Sequence, residues 1–240
     1  IILRLIGDLG ADGATYKALE FTGDTFRNMS VASRMTMSNM AVEAGAKCAL
    51  FTPDEKTAAY CQIRLTDAER TLVGDPDASY IREITYRAED FVPVMACPSQ
   101  VDNIHPVSEL VGAPIDQVFI GSCTNGRLED LQRAASILKG KKVAPFVKLI
   151  VTPASRKIYL EALDDGTLQT LAEAGAIITH PGCGLCCGRT GGILTDGERV
   201  IATNNRNFLG RMGTSKVEIY LASPATAAAC AAAGMIVVPE

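Results

Sequence analysis

A chain of 240 residues with 48% hydrophobic content exceeds the usual size of one domain and is apolar enough to bury a sizeable interior, so two cores are expected. Its net charge of −4 and sequence pI of about 5.3, with no block of Lys or Arg, lack the electrostatic footprint of a polyanion binder, so no nucleic-acid partner is expected. No uncharged apolar run reaches the ~18 residues of a membrane span, and charges interrupt the opening segment where a signal peptide would be apolar, so no membrane partner is expected.

The chain begins at Ile1 without a methionine, already inside an amphipathic pattern (Ile1, Ile2, Leu5, Ile6, Leu9) that reads as a helix with its start removed. A fragment or a processed chain is therefore expected. A Gly-rich turn follows at Gly10–Gly13, then a short segment 17–21 and a long helical pattern over 30–44, with Ser30 as N-cap and Gly45 as its stop. Lys47–Phe51 reads as a short buried strand ending at Thr52-Pro53, Asp54–Leu65 as helical, and Tyr80–Tyr86 as a half-exposed strand. Cys97–Pro106, flanked by Pro93 and Pro114, has neither period and is rich in turn residues, so a domain linker is placed there.

From residue 115 short apolar strands alternate with helices: 117–121 then 128–138, 146–151 then 155–163, followed by strands at 175–179, 199–203 and 217–222 and an Ala-rich helix at 225–233. That alternation predicts a parallel sheet covered on both faces, a doubly wound three-layer α/β domain. Four polar motifs, 122–125, 152–155, 180–188 and 204–211, each follow a strand's carboxyl end, the edge along which such sheets hold their ligands. This is what brings Cys123 and Cys183 together in the expected fold.

Of eight cysteines, at 48, 61, 97, 123, 183, 186, 187 and 230, none is needed as a disulfide in so long and apolar a chain, and a reducing cytoplasm is the expected compartment. Cys48, Cys61, Cys97 and Cys230 sit in apolar or helical contexts and read as buried, inert thiols. Cys183 and Cys186 are spaced Cys-x-x-Cys among glycines, and Cys123 lies among Gly, Ser, Thr and Asn, contexts that suit a three-thiolate metal site with one position open to substrate. Cys187 competes with Cys186 as the third ligand, and spacing alone does not decide between them. A thioredoxin-like pair is a lesser reading, because that motif opens a helix after the first strands of its fold and this one lies late.

Arg206 and Arg211, five apart in an Asn- and Gly-rich loop, suit bidentate capture of a carboxylate, against the bland reading of two solvated surface arginines. Glu43 follows Asn39 by four residues, so both can leave one helical face toward the second domain, although position alone makes Glu43 an ordinary solvated acid. His105 and His180 sit beside prolines with no partner spacing, so no histidine-based nucleophilic triad can be argued.

Gly121-Ser-Cys-Thr-Asn125, Gly182-Cys-Gly-Leu-Cys-Cys-Gly188 and Asn205-Arg-Asn-Phe-Leu-Gly-Arg211, in that order, resemble the motifs of the aconitase superfamily, with Asp12–Thr15 and Asn39–Ala46 extending the likeness over the whole chain. The nearest resemblance is to the large subunits of 3-isopropylmalate dehydratases and homoaconitases. It implies two aconitase-type α/β domains, at 1–110 and 111–240. It implies that Cys123, Cys183 and Cys186 hold a 4Fe-4S cluster, that Arg206 and Arg211 bind substrate carboxylates, that Glu43 is the acid near the labile iron, and that Asn39 and Asn205 are polar neighbours of the cluster. The implied activity is reversible dehydration and rehydration of a small hydroxy acid, with a separate small subunit as partner.

The resemblance also implies an N-terminal domain and a small subunit whose residues this chain does not contain, so the chain alone is expected not to turn over substrate. It departs from the family at Cys187 and at Thr190, where relatives usually carry a non-cysteine and often a histidine. Isopropylmalate, homocitrate, methylmalate-type acids and citrate remain open as substrates. The competing readings are a non-catalytic cluster- or RNA-binding regulator and a structural zinc protein.

Overall fold

The computed structural model describes residues 1–70 and 72–239. Helix α1 (Ile2–Leu9) opens the chain and buries Ile2, Leu3, Leu5 and Ile6 along one stripe. Strand β1 (Ala18–Phe21) and helices α2 (Asp24–Asn28) and α3 (Val31–Met40) follow. The Ser30 hydroxyl caps α3 by accepting the Ser33 N–H at 3.0 Å. A 3₁₀ turn over Ala41–Ala44 continues it to Gly45, whose φ of 84° closes the helix in the left-handed conformation glycine tolerates. Strand β2 (Cys48–Phe51) then pairs in parallel with β1.

Helices α4 (Glu55–Cys61) and α5 (Asp67–Arg70) complete the first region. Asp54 caps α4 through the Thr57 N–H and is ion-paired at 2.6 Å with the buried Arg34; that guanidinium holds the Asp54 carboxyl down at about 2.

The large sheet has the order β4–β3–β9–β8–β5–β6–β7 among the described residues. Its strands are β3 (Val94–Ala96), β4 (Ile104–Pro106), β5 (Gln117–Gly121), β6 (Lys148–Thr152), β7 (Ile177–Ile178), β8 (Arg199–Ala202) and β9 (Glu218–Leu221). The five from β5 to β9 run parallel, and β3 and β4 are antiparallel additions at the edge. Between β5 and β6 lie the single turn α6 (Ser122–Asn125) and α7 (Leu128–Leu138); α8 (Arg156–Asp164) and α9 (Thr167–Ala174) precede β7, and α10 (Pro224–Ala233) ends the chain.

The parallel α/β sheet with three layers is present, and the layers have different origins. Val118, Ile120, Leu149, Val151 and Ile201 pack against α7, α8, α9 and α10. The alternate residues Phe119, Ile150, Val200, Ala202, Ile219 and Leu221 face the other way, onto α1, α3 and the loop residues Leu185, Leu194 and Met212. Residues 1–50 thus supply most of the second covering layer, and the two regions share one continuous core.

Three expectations change. The stretch 97–106, read as a linker, contains β4, and β3 just before it pairs with β9, so the sheet begins at Val94. The signal was hidden because three-residue edge strands are too short to show a period and Pro106 is tolerated only at such an edge. Tyr80–Tyr86 alternates but forms no strand; it is held by side chains, with the Tyr80 hydroxyl on Glu20 at 2.8 Å and that of Tyr86 on Asp8 at 3.0 Å. Finally, β2 is not buried: Cys48 and Leu50 face solvent in a two-stranded sheet, and Cys61 is exposed at a helix end, so only Cys97 and Cys230 fit the inert buried thiol.

The two regions are latched where α3 meets α7. The hydroxyls of Ser30 and Ser33 both donate to Glu129 Oε1, at 2.7 and 2.8 Å. Glu129→Ala leaves both donors without this acceptor, and urea titration is expected to show a loss of about 1–2 kcal/mol in unfolding free energy.

Candidate functional site

The strands to one side of β5 are reached by α7, α8 and α9, whereas β8 lies on its other side. The sheet's winding therefore reverses between β5 and β8, and the crevice beyond their carboxyl ends is the preferred ligand position of such folds. The loop after β5 carries Cys123, and the loop after β8 carries Asn205, Arg206 and Arg211.

These two loops are bonded to each other. The Gly121 N–H donates to Thr203 Oγ1 at 2.9 Å, and the Asn125 side-chain amide donates to the Thr203 carbonyl at 2.8 Å. Gly121 itself is irreplaceable here: at φ 135° an added Cβ would lie 2.0 Å from the Thr152 carbonyl oxygen.

The third loop leaves β7 and returns across the carboxyl edge. Gly182 N–H donates to Pro153 O, and Gly184, at φ 54°, packs so closely on Thr152 that a Cβ would come within 2.4 Å of its hydroxyl. A 3₁₀ turn over Gly184–Cys187 then buries Leu185 and Cys186 in the core. Farther on, buried Gln117 donates to the Gly192 carbonyl at 2.8 Å, tying the loop back to the sheet.

Cys186 Sγ lies 3.9 Å from Asn205 Oδ1 and 3.7 Å from a terminal guanidinium nitrogen of Arg211, whereas Cys187 Sγ faces its own helix at the Gly184 carbonyl, 3.7 Å away. Cys123 and Cys183 are exposed at the same edge. Burial, and then the sulfurs of Cys123, Cys186 and Cys187, push the Cys183 thiol up, while Arg211 pulls it down. Four sulfurs and an arginine thus share one neighbourhood. Among the described residues no three Cys, His, Asp or Glu side chains converge on a single ion position.

The first region contributes two side chains. Asn39 donates to Thr124 Oγ1 at 3.1 Å, next to Cys123. Glu43, from the 3₁₀ turn after α3, accepts from Asn205 Nδ2 at 2.7 Å and from Arg206 Nε at 2.9 Å, both on Oε1. Its side chain is 11% exposed against 40% for Arg206, and both line a cleft of about 680 Å³ together with Asp12, Asp102 and Asn207. The Arg211 guanidinium stacks 5.3 Å above the Phe208 ring.

Sequence reasoning missed Thr203, Gln117, Asn207 and Arg127. Buried Asn207 donates to the Cys97 and Gln100 carbonyls at 2.8 and 3.2 Å, which fixes the loop bearing both arginines. Thr203 was legible only as a polar end to an apolar strand; Gln117 and Asn207 act on backbone partners distant in sequence, and Arg127 reaches the Cys123 carbonyl only because the helix breaks between them, which no local pattern signals.

Cysteines and arginines gathered beyond the carboxyl ends of β5 and β8, at the switch point of a parallel sheet, mark an α/β protein with a candidate ligand site there. The chain belongs to the aconitase family: the sequence pattern of that family (aconitate hydratase) matches residues 1–234. It is 53% identical over its whole length to 3-isopropylmalate dehydratase large subunit 2 of Archaeoglobus fulgidus and 52% identical to 3-isopropylmalate dehydratase large subunit 1 of Methanopyrus kandleri. It is also 53% identical over its whole length to the probable methanogen homoaconitase large subunit of Methanosarcina mazei. The chain spans 58%, 57% and 61% of those relatives' lengths.

Asp130, in the first turn of α7 just beyond the Cys123 loop, accepts the Arg127 N–H at 3.0 Å, and burial pushes its carboxyl up to about 7. A folded-state value above the unfolded ~3.9 means that the folded chain binds the extra proton. This contribution to stability is full below the unfolded value and is lost as pH rises through about 7. Asp130→Asn is expected to flatten that part of the stability profile between pH 4 and 8, read by urea titration at each pH.

Proposed function

We propose that this chain is the cluster-binding part of the large subunit of an iron–sulfur hydro-lyase, most specifically a 3-isopropylmalate dehydratase. Homoaconitase is the alternative, and a relative of that name is equally similar. The observation that carries the reading is the meeting of Cys186, Asn205, Arg206, Arg211 and Glu43 from three separate segments at one sheet edge.

Cys123, Cys183 and Cys186 would hold a 4Fe-4S cluster. Support for Cys186 over Cys187 is direction: the Cys186 sulfur faces Asn205 and Arg211, the Cys187 sulfur its own helix. Bound there, the cluster supplies a Lewis-acidic iron with a position open to a substrate hydroxyl and carboxylate.

The chain's own residues bind and orient. Arg206 gives Nε to Glu43 and retains its terminal N–H groups for a substrate carboxylate. Arg211, oriented by Phe208, places a second guanidinium next to Cys186, where charge builds on a carboxylate as the neighbouring carbon loses its proton. Glu43 engages Oε1 with two donors, which leaves Oε2 to accept a proton or hydrogen-bond the departing hydroxyl. Asn39 and Asn205 hold the Cys123 loop and Glu43 in register. The relatives named large subunits support a small-subunit partner, with which the chain would form a heteromer that completes the site for a hydroxy acid. Among the described residues no helix is long and apolar enough to cross a membrane.

Anaerobic reconstitution with iron and sulfide tests the ligand set. Alanine at Cys123, Cys183 or Cys186 is expected to reduce bound iron and visible charge-transfer absorbance to background, and Cys187→Ala to retain both. A colourless wild-type protein with stoichiometric zinc overturns the reading. For the activity, a chain extended to the relatives' length and coexpressed with a small subunit is expected to produce unsaturated-diacid absorbance from 3-isopropylmalate, and Arg206→Gln to lower kcat/KM by about 100-fold or more.

A further inference from the structure

We infer that Arg127 is a positioning residue for Cys123: its guanidinium holds the backbone of a cluster-binding cysteine and thereby sets how firmly the cluster is retained. This rests on the iron–sulfur reading above and extends it to a residue outside the cysteine and arginine motifs already assigned.

The local backbone creates the need. Helix α6 is a single turn, so the Cys123 carbonyl has no continuing helix to use it. In an unbroken helix it would accept the N–H of residue 127. That N–H is instead committed to the Asp130 carboxylate at 3.0 Å, where α7 starts. The orphaned carbonyl is taken by the Arg127 side chain, with Nη2 at 3.1 Å. Arg127 thus bridges the break between two helices, and the residue it secures is Cys123.

A solvated surface arginine does not account for this placement. A cation at the start of α7 opposes the helix dipole, so its position there needs another reason. Among the described residues Arg127 makes no contact ion pair; its charge acts on the Asp130 carboxyl only at a distance, while its side-chain hydrogen bond goes to the Cys123 carbonyl. Its Nε is buried without an acceptor. Arg211 shows the same pattern: one nitrogen lies 3.7 Å from Cys186 Sγ, and Nε is buried without an acceptor. Two of the three proposed ligands therefore each carry an arginine in contact, one on the Cys123 carbonyl and one on the Cys186 sulfur, whose Nε is buried without an acceptor. Partners of this kind commonly change metal affinity by ~10–100-fold when removed.

The test uses the 240-residue chain reconstituted anaerobically with iron and sulfide, and follows loss of visible absorbance to a ferrous chelator. Arg127→Gln is expected to assemble the cluster and release it about tenfold faster than wild type, with only the small drop in melting temperature of the metal-free chain that loss of one hydrogen bond gives. Arg127→Lys, which restores one charged donor, is expected to fall between, and it carries the test if Arg127→Gln does not fold. Arg133→Gln makes the same charge change at an exposed position of α7 and is expected to release iron at the wild-type rate. Wild-type release from Arg127→Gln, or equal acceleration by Arg133→Gln, overturns the proposal. A wild-type chain that takes up no iron overturns the iron–sulfur reading itself, and this inference with it.

Discussion

The bond from the Gly121 N–H to Thr203 Oγ1 joins the ends of the two strands between which the sheet reverses its winding. Everything in the crevice depends on that junction. It sets Cys123 beside the loop of Asn205, Arg206 and Arg211, and the Asn125 amide on the Thr203 carbonyl doubles it. The close approach is possible because Gly121 has no side chain to meet the Thr152 carbonyl. A sheet edge alone offers loose loops; here the loops after β5, β6 and β8 are bonded to one another, the Ala154 N–H on the Gly126 carbonyl joining the first two, so the edge is held in place by the chain itself.

The remaining face of the sheet explains why the first region belongs to the site. Phe119, Ile150 and Val200 present an apolar surface that α7 to α10 do not cover, and α1 and α3 bury it. Covering that surface carries Asn39 and Glu43 to the crevice, where they meet Thr124, Asn205 and Arg206. The hydrophobic effect is non-directional, so it cannot aim a carboxylate. The aim comes from the Ser30 and Ser33 hydroxyls on Glu129, which fix how α3 lies against α7.

Much of this was legible in the sequence where the physics is local. The Ser30 cap, the Gly45 stop, the α7 span 128–138 and the strands from β5 onward follow from capping chemistry and from apolar runs between turn residues. The placement of four polar motifs at strand carboxyl ends was equally local, and it was enough to bring Cys123 and Cys183 to one edge. What escaped was set by distant partners. Strands β3 and β4 exist because β9 and each other offer open edges, not because three residues prefer to extend. Tyr80–Tyr86 alternates as a strand should but gains nothing from pairing, because its tyrosines are engaged by Glu20 and Asp8. That Cys186 rather than Cys187 lies beside Arg211 was equally hidden, because a 3₁₀ turn sets the direction and no count of residues contains it.

The charge arrangement in the crevice follows from the same constraint. The loop arginines form a positive site within an acidic chain, and the Arg206 charge is partly offset by Glu43 at 2.9 Å. That pairing does not waste the arginine. The contact uses Nε only, so the carboxylate orients the guanidinium while its terminal donors stay available, and a planar fork held at one edge captures a carboxylate with less loss of freedom than a mobile one. Arg211 is held by a ring face rather than by an acid, and so keeps its full charge beside the cysteines. One arginine is thus tempered by a carboxylate and the other is not, a division that two freely solvated arginines would not make.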